Sequence, residues 1–108
     1  MVKTRPVNKE KYGISKERFW ELYYYCLQYE EYKEDGLQER RKMIEKTVME
    51  VGGELQSQIL KAVTTGAGYS EVIKAIGSCD KKKFYEKRRA FYQLLDRNIE
   101  KMYRKQLI

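Results

Sequence analysis

Six cations fall within nine residues near the end of the chain: Lys81, Lys82, Lys83, Lys87, Arg88 and Arg89. Ammonium and guanidinium groups at that density suit a polyanion, which gives up condensed counterions on contact. The lysines are point charges that confer affinity and salt dependence with little sequence preference, whereas Arg88 and Arg89 can hold a guanine edge in bidentate fashion. Ser78 can bond a phosphate or a base, and Tyr85 can bond a phosphate or stack. Ser78, Lys81, Lys82, Lys83, Tyr85, Arg88 and Arg89 are therefore the candidate DNA-binding residues. Lys81, Lys82 and Lys83 also begin a helix, where the macrodipole disfavours cations, so an external anion opposite them is expected. The bland alternative is a solvated basic face.

Other chemistry has little to work with. The chain contains no histidine, which removes the commonest general base and metal ligand and with them Ser-His and Cys-His nucleophiles. Its cysteines, Cys26 and Cys79, lie in separate segments and suggest a reduced, cytoplasmic protein. Cys79, near the three lysines, has either a favoured thiolate or the role of a small turn residue. Glu30, Glu34 and Glu39 read as ordinary surface charge. Gly52 and Gly53 lack both the Gly-Lys-Ser/Thr ending and the preceding strand of a phosphate loop. No catalytic residue, metal or cofactor is expected, and the chain reads as a non-enzyme.

The elements that carry these side chains are helical. With 108 residues, 42% hydrophobic and 36% charged, the chain suits a single all-α domain. The expected fold is a small bundle of about five helices, with a C-terminal helix-turn-helix and a long last helix. Residues 1–14 are polar and basic and read as a flexible arm; residues 15–108 form the domain. Ser15 is the candidate N-cap of a first helix running to Gly36. Phe19, Leu22, Tyr23, Cys26, Tyr29 and Tyr32 make one apolar face of it, and Trp20, Tyr24 and Leu27 a second stripe. The surplus of aromatics has two readings: this helix is the one the others wrap around, or Trp20, Tyr24 and Tyr25 form a protein interface. The acidic cluster Glu30, Glu31, Glu34 and Asp35 crowds its C-terminus against the dipole.

A second helix over residues 37–51 ends at Gly52 and Gly53, and a third covers 54–64. A short fourth, opened by Tyr69 or Ser70, is closed by Gly77. The fifth, capped by Ser78 or Asp80, runs to about Gln106 with Phe84, Phe91, Leu95, Ile99 and Met102 inward. No stretch is apolar enough to span a membrane.

Charge is distributed unevenly. Residues 80–108 hold ten Lys or Arg against four Asp or Glu, a net +6 of the total +7. A field so concentrated favours a polyanionic partner.

Tyr69 to Leu95, with its glycine-containing turn between two helical segments, resembles the C-terminal helix-turn-helix of phage transcriptional regulators of the ArpU/RinA type, themselves similar to sigma-factor region 4. The whole chain, including residues 19–33 and 88–95, also resembles small prophage-encoded proteins of Gram-positive bacteria. In the regulators' pattern the apolar anchor comes about one residue sooner after the turn glycine than Phe84 follows Gly77, so a longer turn is expected. The resemblance implies a double-stranded DNA partner and a regulator of transcription with the last helix in the major groove. The alternative is a helical packaging or protein-interaction factor, a small terminase-like oligomer or a binder of a host protein.

Overall fold

In the computed structural model, which describes residues 13–34 and 36–106, Ser15 opens the first helix. Its hydroxyl accepts from the Arg18 backbone N–H at 3.1 Å and starts α1, Lys16–Leu27. Ile14, in the position before the cap, is buried in the core against which Phe19 also packs. The packed domain thus begins before Ser15. The rest of the expected arm, residues 1–12, lies outside the described residues.

The first helix is shorter than predicted. It ends at Leu27 and gives way to a 3-10 turn, Tyr29–Lys33, instead of running to Gly36. Both tyrosines of this turn are buried: the Tyr29 hydroxyl donates to Glu45 at 2.5 Å and the Tyr32 hydroxyl to the Tyr25 carbonyl at 2.7 Å. The Tyr25 carbonyl is one of the four that a helix end leaves without an intrahelical partner. A phenol seven residues on satisfies it, so stopping the helix costs little while the two rings reach the core. Glu30 therefore sits in the first turn of a new element and pairs with Lys33 at 2.7 Å, which removes most of the expected conflict with a dipole.

Next come α2, Gln38–Gly52, a single 3-10 turn at Gly53–Leu55, α3, Gln56–Thr65, α4, Tyr69–Ala75, and α5, Lys81–Gln106. Every described element is helical, so the chain is an all-α bundle with a terminal helix-turn-helix and a long last helix.

The element around which the others gather is α5, in contrast to the first-helix reading. It packs against α1, α2 and α3, and its 26 residues extend roughly 39 Å at 1.5 Å per residue, close to the 43 Å long axis. Phe84, Phe91 and Leu95 are fully buried, with Tyr92, Asn98 and Ile99 beside them. In α1 only Leu22 and Cys26 are buried, because its aromatics spread over more than one face. One polar contact sets the register between α2 and α5: the Asn98 amide donates to the Thr47 hydroxyl at 3.0 Å, which donates to the Met43 carbonyl at 2.8 Å. Buried and hydrogen-bonded, such a pair is costly to shift.

Gly66 closes α3 at φ +75°, and a Cβ built there meets the Tyr23 hydroxyl at 2.7 Å. Gly66→Ala is expected to cost about 1–2 kcal/mol from the left-handed backbone, while Tyr23 swings aside. Gly68, the N-cap of α4, has ordinary φ and open space around it, so Gly68→Ser is expected to stabilise by roughly 0.5 kcal/mol. Urea melts of the two variants check this opposite pair of signs.

Burial pushes the Cys26 thiol and the Tyr25 phenol well up, and raises Tyr29 and Tyr32 as well. A raised native value means that the unfolded chain loses these protons first. Their contribution is complete below the unfolded value and disappears as pH climbs past it. Stability is expected to fall from about pH 9 upward, with the fully buried Cys26 accounting for up to about 1.4 kcal/mol per pH unit once its unfolded thiol ionises. Urea melts at rising pH check it, and Cys26→Ala should flatten part of the slope.

Candidate nucleic-acid interface

The turn between α4 and α5 takes five residues, Ile76 to Asp80, in line with the longer turn expected from the placement of Phe84. It is held from two sides. Gln58 of α3 donates to the Gly77 carbonyl at 3.4 Å, and the Tyr69 hydroxyl donates to the Cys79 carbonyl at 2.6 Å. The Tyr69 ring meets Phe84 edge-on at 5.5 Å, and Val72 of α4 is fully buried. Gly77 bends the chain at φ +141°, which side-chain-bearing residues rarely adopt. These contacts fix where the first turn of α5 points.

Asp80, and not Ser78, caps α5. Its carboxylate accepts the Lys83 backbone N–H at 2.8 Å. That anion already answers the dipole, so the three lysines do not by themselves require an external charge.

Lys81, Lys82, Lys83 and Ser78 are exposed, and Phe84 is the first fully buried residue of the helix. At about 100° per residue the three lysines fan over roughly 200° of the helix end. Lys82 and Arg89 share the outward row, while Lys83 and Lys87 share the flank beside Gly53, where a Cβ would lie 3.8 Å from the Lys87 Nζ. That flank borders a cleft of about 620 Å³ lined also by Ser78, Gln58 and the acidic Glu54, Asp80 and Glu86. Lys81, Tyr85 and Arg88 take the opposite flank.

Arg88 does not stand on the outward row as a free reader. Its guanidinium lies 4.9 Å over the Tyr85 ring and 5.6 Å from Phe84, a spacing visible in sequence as i,i+3 and i,i+4 neighbours on a helix. Arg88, Arg89 and Tyr85 are half-buried. Among the described residues none of the six cations comes within 4.0 Å of a carboxylate, although Arg18, Lys33, Arg41, Lys46 and Arg104 all do.

The three candidate interface aromatics separate. Tyr24 is 57% exposed and Trp20 half-buried. Tyr25 faces inward: its ring packs on Tyr32, and its hydroxyl is buried without a hydrogen-bond partner among the described residues. The break after Leu27 causes this, because it turns Tyr32 back onto α1.

Cys79 is not an activated thiol. Partial burial, and then the Asp80 charge, raise its pKa, opposite to what a favoured thiolate needs. In the acidic cluster Glu30, Glu31 and Glu34 are exposed, and Asp35 lies outside the described residues. Among the described residues no group of three His, Cys, Asp or Glu could hold a metal ion, and no helix is long and apolar enough to cross a membrane.

Comparison with protein-family models, with curated proteins and with solved structures finds no match to this chain.

Proposed function

We propose that this protein binds double-stranded DNA without catalysing a reaction, as a transcriptional regulator of the phage or prophage kind that its last two helices resemble. One observation carries the reading: the exposed end of α5 bears Lys81, Lys82 and Lys83 on outward and flanking rows, with Lys87 and Arg89 one or two turns behind, and none of them comes within 4.0 Å of a carboxylate among the described residues. A helix with its side chains is 10–12 Å across, the width of the major groove. Cations on both flanks of its end then face the phosphates of both groove walls, and the outward row of Lys82 and Arg89 faces the base edges. The turn held by Gln58 and Tyr69 supplies the rigidity that docking needs.

Titration of a labelled duplex over a range of salt concentrations tests the reading. A log-log salt slope of about −3 to −5 corresponds to three to five lysine and arginine contacts to phosphate. No binding at low salt would rule the reading out and leave the packaging or protein-interaction alternative, for which light scattering shows whether the chain self-associates.

A further inference from the structure

Between α1 and the loop from α3 to α4 runs a groove of about 240 Å³, walled by Phe19, Trp20, Tyr23 and Tyr92, with Arg88 as its charged member. The groove is one stretch of a longer strip. Past Arg88 the strip continues over the Tyr85 ring to Tyr69, 6.4 Å further between centroids, and the Lys81 Nζ stands 5.8 Å from the centre of the Tyr69 ring. In the other direction Trp20 and Tyr23 adjoin Tyr24 at 6.1 and 5.5 Å. Aromatic rings thus run from the end of α5 to Tyr24 of α1, with Lys81 and Arg88 set among those nearer α5. The Arg18 pair with Asp96, at 2.5 Å, ties α1 to α5 about two helical turns beyond Arg88.

We infer that this strip binds single-stranded nucleic acid, its bases stacking on Tyr24 and Trp20 while Arg88 and Lys81 take the phosphates. Duplex DNA keeps its base faces stacked and hidden, so it cannot use exposed rings; an unpaired strand presents a ring face and a negative charge at every nucleotide. Neither Arg88 nor Lys81 has a carboxylate partner among the described residues, so both charges are open to an incoming phosphate. This inference rests on the DNA-binding reading and deepens it: the preferred substrate is a duplex continued by an unpaired strand, the duplex at Lys81, Lys82 and Lys83 and the strand leaving it beside Lys81 along the strip.

Trp20 is the single tryptophan of the chain, so its fluorescence reports on the groove alone. The test compares a blunt duplex, the same duplex with an oligothymidylate tail of about eight nucleotides, within the range one such binding surface covers, and the free oligothymidylate. The tailed duplex and the free tail should quench Trp20, and the tailed duplex should bind about tenfold tighter than the blunt one. Tyr24→Ala, at an exposed position that leaves the core intact, and Arg88→Gln should each remove about tenfold from the tailed substrate, the equivalent of one stacked base. Tyr24→Ala should leave blunt-duplex affinity within about twofold. Equal affinity for blunt and tailed duplex, with Trp20 silent to every single strand, would overturn the strip and leave the duplex reading standing. Quenching by the free tail without any duplex binding would overturn the duplex reading and leave the strip. No binding to any of the three would overturn both.

Discussion

Reversing the charge of all three lysines at the head of α5, Lys81→Glu with Lys82→Glu and Lys83→Glu, is expected to lower duplex affinity by roughly two to three orders of magnitude. An elementary charge about 4 Å from another in water is worth about 1 kcal/mol, and three charges reverse here, a change of about six units; screening at physiological salt trims the sum to about 3–4 kcal/mol. The salt slope should flatten by about 2.7, at 0.9 per lost phosphate contact. The same substitution should not harm the fold. All three side chains are exposed, and carboxylates in the first turn of a helix suit its dipole by about 0.3–1 kcal/mol each. The melting temperature is therefore expected to hold or rise while binding disappears. Parallel titrations and thermal melts read both quantities. Unchanged affinity at low salt would mean that the helix end is only a solvated face.

Phe91→Ala should produce the largest loss of stability, about 3–5 kcal/mol, from the ring's lost transfer energy and the cavity left behind. Phe91 is fully buried near the middle of α5, with the Tyr92 ring 5.2 Å away edge-on. Because α1, α2 and α3 all rest on this helix, no side of the site is free to collapse inward. Small domains have about 5–15 kcal/mol in total, so the variant should unfold at much lower urea, with an unchanged m-value if the transition stays two-state. A loss below about 1 kcal/mol would contradict the central place of α5.

The local signals in the chain were specific where chemistry is local. Ser15 before a helical run, Gly66 after one, and Tyr69 following a glycine all mark real boundaries, because caps and positive φ depend on a residue and its immediate neighbours. Of the stripe Phe84, Phe91, Leu95, Ile99 and Met102, the first four are buried as their spacing predicts and Met102, near the helix end, is half-buried. Where the reading missed, a partner distant in sequence intervened. The periodicity of residues 19–32 continues through Leu27, but Tyr29 finds Glu45 and Tyr32 turns back to the Tyr25 carbonyl, and both need α2 in place. Thr47 and Asn98, 51 residues apart, gave no apolar signal at all.

The candidate interface divides along the same line. Its charge was legible from residues 80–108 alone, since net charge is a sum that folding does not alter. Its arrangement was not. The sequence by itself determined an all-helical chain with a basic last helix and a turn ahead of it, through period, capping and composition. Only the tertiary structure decided that this helix is also the centre of the core and that Arg88 comes to lie beside the aromatics of α1. The physical reason is that a helix has one radial direction for each residue. Which directions become core, flank or outward row is set by the helices packed around it, and those contacts join residues far apart in the chain.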